Sequence, residues 1–160
     1  MLISPESLAV IGGAIALAGG LAGSSIGIGI AGSAGAATLS EEPGQLRNVI
    51  LLASLPMTQT FYGLITLILI LTTVMPKVTA MSGDGSGMGF AILGIGIIVA
   101  LAEGFSGAFQ GAVCASGISL LPKTKGRILT NSMMLAVFVE LIGVLGLVFA
   151  IMALAMLGLF

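Results

Sequence analysis

The chemistry in this sequence rests on a few polar side chains set in apolar surroundings: Glu140, Glu103, Gln59, Gln110, Thr58 and Tyr62. An ionisable residue near the centre of a lipid-facing segment costs about 2.5 to 3.5 kcal/mol on insertion scales, so each carboxylate so placed is a functional candidate by default. Depth can be counted from the nearest polar break. Glu140 lies about 14 residues past its break, Gln59 about 13 past its own and Gln110 about 12 before the third, which puts all three roughly 18 to 21 Å deep at 1.5 Å per helical residue. Leu55, Thr58, Gln59 and Tyr62 recur at i, i+3, i+4 and i+7 and share one helical stripe. Pro56, within that stripe, lacks an N–H and disturbs local helix bonding, which makes nearby carbonyls easier to share with a ligand. A carboxylate, two amide oxygens, a hydroxyl and a carbonyl form an all-oxygen cage suited to a hard cation. One carboxylate balances one positive charge, which favours Na⁺ over Ca²⁺ or Mg²⁺, since divalent ions recruit more carboxylates. A proton is the rival cargo, carried directly on the carboxylate, although it needs no cage. Taken singly, Thr58, Gln59 and Gln110 could serve only as hydrogen-bonding glue between helices. Their common depth with Glu140 argues for a site. Glu103, about 10 Å further from the same breaks than Gln110, is expected to be a neutral, hydrogen-bonded core carboxyl, in preference to the lining of a route to the far side.

These groups need membrane helices to hold them. The chain has 160 residues, 58% hydrophobic and 7% charged, whereas a soluble domain has about a quarter of its residues charged. Polar breaks at Ser40–Gln45, Ser82–Gly87 and Pro122–Gly126 leave four apolar segments near 5–39, 47–79, 88–121 and 127–159. Each exceeds the roughly 20 residues needed to span a bilayer, and about 33 residues make a rod of roughly 50 Å. The fold expected is an all-α integral membrane protein with one membrane domain over 1–160, built as hairpin 1 (5–79) and hairpin 2 (88–159). The N-terminus lacks the basic region of a signal peptide, and the apolar run behind it is too long for one, so the first helix is expected to remain.

The two hairpins read as tandem copies. An offset of 82 pairs Ala9 with Ala91, Gly12 with Gly94, Ser24 with Ser106 and Gly29 with Gly111; an offset of 83 pairs Asn48 with Asn131, Leu52 with Leu135 and Gly63 with Gly146. The second offset also sets Met57 opposite Glu140, so one carboxylate serves both hairpins. Glycine concentrates in the first and third helices, with Gly19, Gly23 and Gly27 spaced by four. Small residues at that spacing let backbones approach closely in lipid, which suggests a crowded inner ring of first and third helices from several copies, with the second and fourth outside.

Composition excludes other classes. The only basic cluster is Lys123, Lys125 and Arg127, too short for a nucleic-acid surface. With no histidine and the single Cys114, disulfide frameworks and His/Cys metal sites are excluded within one chain, and Cys114 reads as a packing residue. No nucleophile, base or cofactor motif indicates an enzyme. A standalone oligomeric pore or secondary transporter would need a water-lined face or an inverted repeat, but the charge bias is the same in both halves, so the repeat is parallel.

The stretches Leu55-Pro56-Met57-Thr58-Gln59-Thr60-Phe61-Tyr62-Gly63, Gly104-Phe105-Ser106-Gly107-Ala108-Phe109-Gln110-Gly111 and Phe138-Val139-Glu140-Leu141, with Gly143 and Gly146 after it, resemble the rotor-ring proteolipid of V-type ATPases. They resemble above all its double-hairpin form, the c or K proteolipid of the bacterial sodium-pumping type. That resemblance implies Na⁺ ligation by the Leu55 carbonyl, Thr58, Gln59, Gln110 and Glu140, with Tyr62 hydrogen-bonding Glu140. It also implies a homo-oligomeric ring in a bacterial cell membrane, turned by ATP hydrolysis in other subunits. The partners implied are lipid, a stator subunit whose arginine faces the ring, and a central stalk at the hairpin tips. Met57 departs from the smaller residue common in sodium-type relatives and is expected to tighten the site; Glu103 has no counterpart role.

Short loops rich in Lys and Arg stay in the cytoplasm. Arg47, Lys123, Lys125 and Arg127 flank the first and third connections and Lys77 alone lies near the second. Loops 40–46 and 122–126 are therefore predicted to be cytoplasmic, with both termini and loop 80–87 opposite. In a Cys114→Ser background, Glu42→Cys and Thr124→Cys should react with a membrane-impermeant maleimide only from the cytoplasmic side, and Ser82→Cys only from the other; the reverse pattern would invert the topology.

Overall fold

The structure, a computed structural model, describes residues 4–81 and 86–160, so Ser82-Gly83-Asp84-Gly85 of the middle connection lies outside the described residues. Four long apolar helices, each capable of crossing a bilayer, make up almost all of the rest: α1 (Pro5–Glu41), α2 (Pro43–Ala80), α3 (Ser86–Ser119) and α4 (Leu129–Met156). They form two helical hairpins side by side.

Local sequence explains where each helix starts, bends and stops. Ser4 caps α1 by accepting the Ser7 N–H at 3.2 Å, with Pro5 in the first turn, where its missing N–H costs nothing. At the first tip only Glu42 leaves the helical path, its N–H bonding the Thr38 carbonyl, before Pro43 opens a tight 3-10 turn into α2. The polar run at 40–45 is thus shorter as a loop than its composition suggests, because Pro43 is admitted at a helix start. The second tip turns at Leu121–Thr124 and reverses through left-handed Lys125 (φ 50°) and Gly126 (φ 80°). A methyl group on Gly126 would meet Asn48 Nδ2 at 2.9 Å, and Asn48 also donates to Gln45 Oε1 at 2.7 Å, so the second tip rests on the start of α2.

Helix α2 is composite. Pro56 cannot supply the N–H that an α-helix needs, and the chain tightens into a 3-10 turn over Leu55–Met57 before resuming as α-helix at Thr58. Further on, Ile70–Val74 widens into a π turn ahead of Pro76, the Met75 N–H reaching the Ile70 carbonyl.

The most extensive helix contact is between α1 and α3, which run parallel. A methyl group on Gly23 would fall 2.5 Å from the Gly104 carbonyl oxygen, and one on Gly107 would fall 2.6 Å from the Gly23 carbonyl carbon. The backbones meet with no side chain between them. The register of these contacts, Gly12 against Ile92 and Gly23 against Gly104, is close to the offset of 82 between the repeats, so equivalent residues of the two hairpins meet at one depth. Helix α2 lies antiparallel on α1, with Gly63 against the Ala16 carbonyl, and α4 lies antiparallel on α3, with Gly117 against Ser132. One apolar cluster, including Val49, Leu52, Ile118 and buried Cys114, fills the tip end; a second, including Ile70, Val74, Ile92 and Val99, fills the other. Between them lies the polar layer.

Gly107→Val places a branched side chain against the α1 backbone with no rotamer that avoids it. Overpacking of this kind costs about 1 to 3 kcal/mol or more. The variant is expected to lower the thermal stability of the purified protein in detergent, whereas Gly32→Val, where a Cβ meets nothing within 4 Å, should leave it near the native value.

A polar cluster between two apolar cores

Three helices supply the polar layer, and each side chain has a local reason for its position. Below the 3-10 turn of α2, the Thr58 hydroxyl donates to the Leu55 carbonyl and to Gln59 Oε1, both at 3.3 Å. That carbonyl also accepts the Thr58 N–H through the 3-10 turn. From the sequence, Pro56 would leave it open to a ligand; the tight turn instead gives it two donors from one residue. Pro56 itself is buried, and a methyl group on Gly27 of α1 would meet its Cβ at 2.7 Å, so the bend in α2 is seated on α1.

Gln59 points from α2 across to α3. Its Nε2 donates to Gln110 Oε1 at 3.0 Å and to Ser106 Oγ at 3.1 Å. Gln110 in turn spans α3 to α4, its Nε2 donating to Glu140 Oε2 and to the Ala136 carbonyl, each at 3.3 Å. Both glutamines are fully buried. Tyr62, one turn beyond Gln59, donates its hydroxyl to Glu140 Oε1 at 3.1 Å. Each Glu140 oxygen therefore has one donor, from α2 and α3 respectively. Glu140 is half-buried on a face of α4 whose neighbours Val137, Phe138 and Leu141 point outward. It can meet whatever surrounds the four helices.

The structure thus brings Leu55, Thr58, Gln59, Tyr62, Gln110 and Glu140 into one hydrogen-bonded cluster. Sequence reasoning does not single out Ser106 as a site candidate, yet it ties the cluster together: besides accepting from Gln59, it donates to the Val139 carbonyl at 2.9 Å. Its signal is its position one helical turn before Gln110 on the same face. Met57 is exposed on the outside of α2, and none of these hydrogen bonds involves it. One expectation needs correction. Glu103 is fully buried as expected but not hydrogen-bonded: neither carboxyl oxygen has a partner among the described residues. It lies against Gly143 and Gly146 of α4.

A duplicated membrane hairpin with one laterally accessible carboxylate among buried amides defines a helical protein that carries ions rather than catalyses a reaction. The chain belongs to the family of the ATP synthase C subunit, which it matches twice, over residues 11–70 and 93–153. The two matched blocks confirm the tandem duplication, and their starts and ends differ by 82 and 83 residues, as do the internal pairings. Among curated proteins, the chain is 32% identical over 126 residues to the V-type sodium ATPase subunit K of Enterococcus hirae, covering 79% of this chain and 76% of that one. It is 35% identical over 155 residues to the A-type ATP synthase subunit K of Methanocaldococcus jannaschii, covering 96% of this chain and 65% of that one. The protein is a non-catalytic, ion-translocating proteolipid of a rotary ATPase, from a family whose members assemble as homo-oligomeric rotor rings.

Removing the Ser106 hydroxyl leaves the Val139 carbonyl without that donor and Gln59 with one acceptor fewer. A net hydrogen bond contributes about 1 kcal/mol, and an unmet buried partner costs about 1 to 3 kcal/mol. Ser106→Ala is expected to lower thermal stability in detergent, while Ser116→Ala, whose exposed hydroxyl bonds only its own helix at Ala112, should change it little.

Proposed function

We propose that this proteolipid binds and carries Na⁺, with the Leu55 carbonyl, Thr58 Oγ1, Gln59 Oε1, Gln110 Oε1 and a Glu140 carboxylate oxygen as ligands, and Tyr62 holding Glu140 in place. The observation that carries the reading is the position of Gln110, which hydrogen-bonds Gln59 on one side and Glu140 on the other. A bare proton carrier has no use for two buried amides and a threonine linked in one hydrogen-bonded series to a carboxylate. The relative in Enterococcus hirae, named as a sodium ATPase subunit, supports the same choice.

A cation entering this cluster exchanges hydrogen bonds for ion contacts. The Gln59 and Gln110 oxygens now accept from Thr58 and Gln59, and small rotations of the amides and the hydroxyl turn those oxygens to the ion. Tyr62 keeps its bond to one Glu140 oxygen while the other oxygen turns from Gln110 to Na⁺. One carboxylate and one monovalent ion leave the site neutral, which lowers the cost of Glu140 facing lipid as the ring turns. The ion leaves where a stator arginine replaces its charge and reloads from the other side. Each ion moved against 100 mV needs about 2.3 kcal/mol, supplied by ATP hydrolysis in other subunits. The stalk docks on loops 40–46 and 122–126, on the cytoplasmic side.

Carbodiimide labelling of Glu140 in the purified ring tests this reading. Millimolar Na⁺ should protect Glu140 from the reagent, and Tyr62→Phe, which removes one charge-assisted bond of about 1.5 to 3 kcal/mol, should raise the Na⁺ concentration needed by at least about tenfold. Labelling indifferent to Na⁺ would replace the sodium reading with proton transport. Transport surviving in Glu140→Gln would sink both.

A further inference from the structure

Glu103 stands outside the Na⁺ cluster and no step above uses it. It is fully buried, and both carboxyl oxygens lack a hydrogen-bond partner among the described residues. An isolated carboxylate in such a place is prohibitively costly unless neutralised. The surroundings supply no positive charge. Helices α3 and α4 contain no lysine or arginine, α1 has no ionisable group between Glu6 and Glu41, and Arg47 and Lys77 lie near the two ends of α2. The ionisable group near Glu103 is the Tyr62 phenol of α2, which brings no positive charge.

The space around Glu103 is built to admit the carboxyl group and little else. The Cβ position of Gly143 lies 2.6 Å from Glu103 Oε2 and 3.2 Å from Ser106 Oγ, and that of Gly146 lies 3.3 Å from Glu103 Oε1. Any side chain at 143 would displace the carboxyl, so two glycines of α4 make its room. Glu103 Oε2 and Ser106 Oγ flank one gap. The Ser106 hydroxyl donates to Val139 and accepts from Gln59, which leaves one lone pair free. A metal ion needs several oxygens, and this gap offers the carboxyl and one hydroxyl. A proton needs one acceptor.

We propose that Glu103 is a second, resident proton-binding site, distinct from the Na⁺ cluster. One carboxyl oxygen carries the proton, which leaves the buried group uncharged. Because Glu103 faces α4 and not the outside, its proton stays with the ring while Glu140 exchanges its cargo. Each chain then holds two monovalent cations of different kinds. The site itself follows from the burial of Glu103; its distinction from the transported ion rests on the assignment of Na⁺ to Glu140.

Infrared spectroscopy of the native ring at neutral pH separates the two. In the ring saturated with Na⁺, the carbonyl stretch of a protonated carboxylic acid should persist, and Glu103→Gln should abolish it. If Glu103→Gln fails to assemble, Gly143→Ala serves, since its methyl group presses on Oε2 and should shift the band; an unmoved band overturns the proposal. Absence of any protonated-acid band in the Na⁺-saturated native ring, or a band that survives Glu103→Gln, also overturns it, as does binding of two radioactive Na⁺ per chain. If adding Na⁺ removes no band while the Glu103 band remains, the sodium reading of Glu140 fails and this site stands.

Discussion

A bilayer interior offers no water to satisfy polar groups, so one left there without a partner in the protein is costly. The polar layer of this proteolipid obeys that constraint through a chain of single contacts: Thr58 to Gln59, Gln59 to Gln110, Gln110 to Glu140, and Tyr62 back to Glu140. The series begins and ends on α2, so an apolar slab with polar residues at one depth becomes a stable feature rather than a defect. It also makes the layer responsive. The Gln59, Gln110 and Glu140 oxygens are engaged by neutral side-chain donors that can rotate away, and neither hydrogen-bond partner of Glu140 carries a competing positive charge.

That layer depends on the approach of α1 to α3. Glycine on both helices removes the side chains that would separate them, and the backbones pack at a distance that brings α2 and α4 onto the flanks of one central pair. Gln59 can reach Gln110, and Tyr62 can reach Glu140, only because the hairpins are held this close. The same contact fixes their relative depth: a parallel pair meeting near the repeat offset cannot slide without losing the Gly23–Gly104 and Gly23–Gly107 contacts. The glycine pattern and the polar cluster are therefore one device read at two scales.

Much of this is legible in the sequence because membrane helices convert residue count into depth almost linearly. Counting from polar breaks is enough to level Gln59, Gln110 and Glu140, and the i, i+3 spacing puts Tyr62 one turn from Gln59 on the same stripe. What the count cannot supply is direction across the bundle. Ser106 is hidden because a serine in a membrane helix usually bonds its own backbone, as Ser116 and Ser119 do here; only the packed structure turns it to α4. The engagement of the Leu55 carbonyl is hidden for a different reason: the outcome at Pro56 depends on whether the chain kinks open or tightens, and here it tightens with Pro56 seated on α1 at Gly27. The burial of Glu103 follows from its place in an apolar run, but its lack of donors comes from Gly143 and Gly146 presenting bare backbone to it, a property of the partner helix.

The duplicated hairpin also explains why the cluster is asymmetric. By the repeat offsets, Gln59 corresponds to Ile142, Tyr62 to Leu145, Glu140 to Met57 and Gln110 to Ile28. Each of these polar groups thus has an apolar twin, and the twins Met57 and Ile28 are exposed. Two equivalent sites have not been kept at half strength; their parts have been divided, with α2 keeping the amide, hydroxyl and phenol, α4 the carboxylate, and α3 the bridging amide. Such a division leaves no second place among the described residues where a membrane-depth carboxylate could meet the outside. With Glu140 as the proposed ion site, a ring of these protomers carries one exchangeable ion per four helices, and for a given circumference it moves fewer ions per turn than a ring with one site per hairpin. More of the energy of each turn is then available to each ion, which suits a rotor driven against a steep gradient.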